Sequence, residues 1–248
     1  MIEANFLIWI PCLLFLAAAL YASVGHAGAS GYLAVMALFG VSATVMKPTA
    51  LVLNLLVASV ATFKFYRAGY FSWRIFEVFA LSSVPFAFLG GRWTLPSDVY
   101  KVVVGIVLIL SAIRLFYTTI QAKDQTSPKP LSMGISVLMG ALIGLVSGLT
   151  GVGGGIFLSP LLLLTNAAET KQVSGISAAF IWVNSLAGLL GHGFDRHILP
   201  PQLWLWASVV LVGGWLGATY GTQRFDTQVL KRLLALVLVI AGTKMVLT

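Results

Sequence analysis

Apolar runs of about twenty residues, nearly free of charge, recur along this chain, the first over residues 4–24. A run of that length crosses the ~30 Å hydrocarbon layer of a bilayer as an α-helix. Of 248 residues, 59% are hydrophobic and 9% charged, whereas soluble domains carry about 25% charged residues. The chain is therefore read as an all-α integral membrane protein forming a single membrane domain over 1–248, with no soluble domain of any size. No basic residue precedes the first run and no cleavage pattern follows it, so it is expected to be a retained helix rather than a signal peptide. The one cysteine, Cys12, lies within that run, where it packs or faces lipid.

The net charge of +8 is dispersed over short loops. It fits membrane orientation and anionic headgroups, with no nucleic acid implied. Apolar segments are expected at 4–24, 32–41, 49–66, 75–93 and 101–117, and again at 133–150, 155–165, 173–193, 203–222 and 229–247. Residues 1–117 read as a first repeat, 118–131 as a polar linker and 132–248 as a second repeat. An offset of 123 places Gly25, Gly28 and Gly31 on Gly148, Gly151 and Gly154. An offset of 130 pairs Asn54 with Asn184, Val99 with Val229 and Lys101 with Lys231.

Charge decides the expected orientation of the repeats. If each half crosses an odd number of times, the halves are inverted and ten of the fifteen Lys and Arg residues share one side. Parallel halves would split them eight to seven, so two inverted repeats with about 8–10 membrane segments are expected. The linker is then cytoplasmic, and both termini lie outside the cell membrane.

Within each repeat a glycine-dense hinge interrupts the apolar pattern, Gly25-His26-Ala27-Gly28-Ala29-Ser30-Gly31 and Gly148-Leu149-Thr150-Gly151-Val152-Gly153-Gly154-Gly155. Glycine inside a helix costs about 1 kcal/mol against alanine, so such a cluster marks a broken helix or hairpin. The ten-residue piece after each hinge reaches about 15 Å, half the hydrocarbon. A half-helix starting at depth directs free amides and the positive end of its dipole inward, where an anion is favoured.

The candidate site therefore comprises Gly25, His26, Gly28, Ser30 and Gly31 in the first hinge, and Ser147, Thr150, Gly151, Gly153, Gly154 and Gly155 in the second. Asn54 and Asn184, polar and mid-span, complete it. No cofactor, metal or catalytic residue is expected; the partners are a small anion and the bilayer, and self-association into a homo-oligomer is left open. Tryptophans, among them Trp73, Trp93, Trp204 and Trp206, stand near segment ends as an aromatic belt does. Two other classes are alternatives: an intramembrane serine protease pairing Ser30 of the GxSG-form Gly28-Ala29-Ser30-Gly31 with His192, and a non-transporting assembly factor.

The run from Gly144 to Leu161, GLVSGLTGVGGGIFLSPL, resembles the glycine-rich signature of the TauE/SafE membrane transporters. The first hinge departs from the pattern, with His26 and Ser30 where the family often has glycine. The resemblance implies export of sulfur-containing anions, sulfite or organosulfonates such as sulfoacetate, by a carrier that is not an enzyme.

Overall fold

The computed structural model describes residues 4–117, 131–193, 199–222 and 228–247. The expected linker, with Lys123 and Lys129, lies outside them except for its last residue. Among the described residues α-helix is the only regular secondary structure. Five helices fall in each half: α1 (Ala4–Ser23), α2 (Ala29–Leu38), α3 (Ala43–Arg67), α4 (Trp73–Arg92) and α5 (Ser97–Tyr117), then α6 (Met133–Thr150), α7 (Gly155–Leu164), α8 (Thr170–His192), α9 (Leu203–Thr222) and α10 (Gln228–Leu247). Five of these, α3, α4, α6, α8 and α9, are long and apolar enough to cross a bilayer by length and composition. Both post-hinge helices have ten residues, as expected.

Apolar side chains cover the outside, with Leu81, Leu138, Trp204 and Leu216 all exposed. Such a surface is an aggregation liability in water but is what lipid requires. Cys12 is exposed on it as well. Trp73, Trp93 and Trp204 are exposed, whereas Trp206 is buried in the core against expectation. Tyr66, Phe71, Trp73 and Phe76 form an edge-to-face cluster around the α3–α4 turn.

The halves interleave. α1, the first helix of its half, packs most extensively on α9, the fourth of the other, and α6, the first helix of the second half, on α4, the fourth of the first. Both pairs run parallel, at backbone contact distance. In α6, a Cβ added to Gly144 or Gly148 would lie 2.2 Å from the Ser83 carbonyl oxygen or 2.1 Å from that of Ala87. In α9, Gly217 and Gly221 would lie 2.0 Å from the Ala19 and Ser23 carbonyl oxygens. Small residues every fourth position are how membrane helices approach closely. The same interface is thus built twice, with the glycines on opposite partners. Gly217→Ala is expected to cost about 1–3 kcal/mol by overpacking. Thermal unfolding in detergent reads this against Gly134→Ala, where nothing lies within 4 Å; equal stability of the two variants would refute the close packing.

α3 and α8 form the central pair and run antiparallel. Phe65 meets Gly175, Ser59 bonds Trp182, Asn54 bonds Ser185, and Leu51 meets Gly188. At one end of the bundle Lys171 Nζ donates to the Tyr70 hydroxyl and the Thr222 carbonyl, each at 3.1 Å, so the end of α9 joins the α3–α4 turn. At the other end Lys47, 5% exposed, donates to the carbonyls of Gly90 (3.2 Å), Gly91 (2.9 Å) and Trp93 (3.2 Å). These belong to the last turn and exit of α4, whose carbonyls lack helical partners and carry the negative end of the dipole. Lys244 does the same for α2, donating to Ala37 and Leu38.

Candidate functional site

The hinges form because glycine takes conformations that other residues avoid. Gly28 (φ 102°) and Gly154 (φ 78°) occupy the N-cap positions of α2 and α7, with no side chain capping either helix. Gly25 (φ 75°) and Gly151 (φ 83°) turn the chain out of α1 and α6. The hinges therefore align Gly25 with Gly151 and Gly28 with Gly154, an offset of 126 in place of the expected 123. Their surroundings agree, since Gly25 lies against Ser174 of α8 and Gly151 against Lys47 of α3. That sets the α3–α8 offset at 127, so the counterpart of Asn54 is Ile181, not Asn184.

Asn54 and Ile181 each stand near the middle of their helix, and both touch the second hinge: a Cβ on Gly153 would lie 2.7 Å from Ile181 Cγ2 and 2.8 Å from Asn54 Nδ2. The same hinge reaches the first. His26 Nε2 lies 3.1 Å from the Gly155 carbonyl oxygen, and Ser159 of α7 lies 3.0 Å from that nitrogen and 2.7 Å from Ser177 of α8. A small cavity of about 10 Å³ lies between the two N-termini, lined by Tyr21, His26, Gly28 and Ser30 on one side and by Val152, Ile156 and Ile181 on the other. It has room for about one water molecule.

Around it the helix starts hold buried donors. The amides of Ala29, Ser30 and Gly31 in α2, and of Gly153, Gly154 and Gly155 at α7, make no hydrogen bond among those described. Orphan amides at the positive ends of two dipoles favour an oxyanion. Buried oxygens nearby also lack partners: Ser147 Oγ, Asn54 Oδ1, Asn184 Oδ1 and Thr49 Oγ1. The Asn54 amide nitrogen makes long contacts to Val152 O (3.4 Å) and Ser185 Oγ (3.3 Å), while that of Asn184 bonds Phe180 in its own helix.

Two expected hydroxyls are already engaged. Thr150 donates to the Val146 carbonyl, and Ser30 to the Tyr21 hydroxyl at 2.6 Å. The Ser30–His192 pair is not formed, because His192 ends α8 beside Lys47 and Gly91. A second, larger concavity of about 620 Å³ lies between α4 and α8, but Phe88, Leu89, Val183 and Leu190 make it wholly apolar and lipid-facing. It has nothing with which to hold an anion.

Sequence reasoning missed Lys47, Tyr21 and Ser159. Lys47 had no legible signal: a cation between two apolar segments reads as a loop residue at headgroup depth, and only the structure shows it buried against the α4 carbonyls.

Two short helices meeting N-terminus to N-terminus among long apolar helices define a multi-pass membrane protein. The chain belongs to the family described as Sulfite exporter TauE/SafE, which matches residues 10–245, and it is a membrane transporter. It is similar to a probable membrane transporter protein of Sinorhizobium fredii, 40% identical over 233 residues, 93% of this chain and 94% of that one. Partial matches are probable membrane transporter proteins of Xylella fastidiosa, 31% identical over 115 residues (46% of this chain, 44% of that one), and Bacillus subtilis, 25% identical over 118 residues (46% and 41%). No solved structure matches the chain.

Proposed function

We propose that the protein is a secondary carrier that moves small sulfur-containing oxyanions, sulfite or an organosulfonate such as sulfoacetate, out of the cell. The observation that carries this reading is the meeting of two uncapped helix N-termini at the centre of the α3–α8 pair. A sulfo or sulfite group presents three acceptor oxygens to the amides of α2 and α7, and the Ser147 hydroxyl and the Asn54 and Asn184 amides line its path. Because the cavity holds about one water, the substrate enters when the N-termini separate.

The antiparallel α3 and α8, equivalent helices of the two halves, support an inverted repeat and alternating access. The moving bodies are mixed, α1 with α9 against α6 with α4, because each pair is locked through glycine. With the cation-rich loops inside, the linker is cytoplasmic and both termini are outside the cell membrane.

Purified protein in liposomes should pass sulfite or sulfoacetate at least about tenfold faster than chloride or phosphate, a difference of about 1.4 kcal/mol in barrier. Flux that does not discriminate among these anions, or none, would remove the reading.

A further inference from the structure

We infer that His26 is a proton-binding site of the carrier and that its proton binds together with the anion; this rests on the anion reading of the hinges. The ring is 4% exposed. Its Nδ1 lies 3.0 Å from the Val24 carbonyl oxygen, and its Nε2 lies 3.1 Å from the Gly155 carbonyl oxygen and 3.0 Å from Ser159 Oγ. A carbonyl oxygen only accepts, and a neutral imidazole has one N–H. In the Nδ1–H tautomer Ser159 donates to Nε2, whose lone pair also faces the Gly155 carbonyl; in the Nε2–H tautomer the Nδ1 lone pair faces the Val24 carbonyl. The imidazolium donates to both carbonyls, joining the first hinge to the first turn of α7. Ser159 is then released to donate to Gly155 or to Ser177, at 3.0 and 2.7 Å.

The charge of that imidazolium is what links it to substrate. It stands between the N-termini of α2 and α7, both positive dipole ends, which oppose a cation. An oxyanion in the intervening cavity reverses the local field, so the anion raises the proton affinity of His26 and the proton raises the anion affinity equally. Among the described residues, titratable groups near the ring include Tyr21 of α1, with ring centroids 6.4 Å apart, and Tyr32 of α2, whose hydroxyl donates to the adjacent Ala27 carbonyl. α7 and α8 present the hydroxyls of Ser159 and Ser177. Lys47, the cation that α3 brings beside the second hinge, directs its ammonium to the three α4 carbonyls. Val152 takes the place of His26 in the second hinge, so one such site exists per chain at these positions.

The proton is taken up from the compartment that supplies the anion and released with it on the other side. A monovalent sulfonate then crosses without net charge. The test uses methanesulfonate, which stays ionised and so carries no proton of its own, in liposomes holding a pH-sensitive dye. Wild-type protein should acidify the lumen as methanesulfonate enters, with a proton-to-anion ratio of about one, and its rate should not respond to a potential set with potassium and valinomycin. His26→Gln should bring the ratio below about a tenth of the wild-type value and flatten the dependence of flux on pH. Methanesulfonate entry by wild-type protein with no proton movement, or with a rate that follows the imposed potential, overturns the inference while leaving the anion reading standing. His26→Gln with the wild-type ratio overturns it too. No methanesulfonate, sulfite or sulfoacetate entry removes both readings. The wild-type ratio decides the matter even if the variant does not fold.

Discussion

Gly153→Val is expected to lower anion flux at least about a hundredfold, a loss of about 3 kcal/mol, while the protein still inserts and is recovered from membranes. Two effects add at this position. Gly153 has φ 82°, where a side chain costs about 1–2 kcal/mol and a β-branched one more. The new Cβ would also lie 2.7 Å from Ile181 Cγ2 and 2.8 Å from Asn54 Nδ2, both fixed in the middle of the central helix pair. The hinge must then move, and with it the amides of Gly154 and Gly155 that we propose face the anion. Gly69→Val separates the two effects, because Gly69 has φ 79° in the α3–α4 turn with nothing within 4 Å. It should retain most of its flux. Full activity in Gly153→Val would place the substrate elsewhere in the bundle, and equal damage in both variants would trace the loss to backbone strain alone.

Lys47→Met should be the most damaging change for stability. It removes the donor from three carbonyls at the exit of α4 and leaves them in an apolar interior. Hydrogen bonds to charged groups are worth about 1.5–3 kcal/mol each, and a stranded buried acceptor adds its own desolvation cost. Even with partial relaxation the loss should be about 3 kcal/mol, or roughly 6–12 °C in midpoint for a chain of this size. Lys171→Met is the comparison, since its ammonium serves the α9 end from a half-buried position. Its loss should stay under about 1 kcal/mol. If unfolding in detergent showed the two variants alike, the buried Lys47 cap would not matter for stability.

Much of the fold was legible because lipid enforces it. α6 and α9 begin and end where the apolar runs do, and the two half-helices have the anticipated length. α3 is the departure, starting at Ala43 instead of residue 49. Lys47 and Pro48 read as a loop, yet the lysine finds acceptors on α4, and the proline lies inside the helix at the cost of the bond its amide would make to Thr44.

The hinge register was illegible for a different reason. The letters favour an offset of 123, which matches three glycines, over 126, which matches two and sets Gly31 opposite Phe157; the contacts of Gly25 with Ser174 and Gly151 with Lys47 nevertheless choose 126. The asparagine match rests on a third offset, 130, where the same contacts give 127. His26 was visible as a letter, but its value as a link between hinges depends on Gly155 and Ser159, which no local pattern connects to it.

The interleaved halves also set an order of events on the ribosome. α1 leaves the translocon about 180 residues before its partner α9, a delay on the order of ten seconds or more at ~5–20 residues per second. Until then acyl chains must fill the seam that Gly213, Gly217 and Gly221 later occupy. That wait is tolerable because the α1 surface involved is apolar, and lipid solvates it well. Lys47 could not wait so cheaply, since a bare ammonium in hydrocarbon is costly. Its acceptors are only 43 to 46 residues downstream, in the next helix to be made. The nascent chain thus neutralises its buried charge early and locally, and defers to the end the contacts that lipid can hold open.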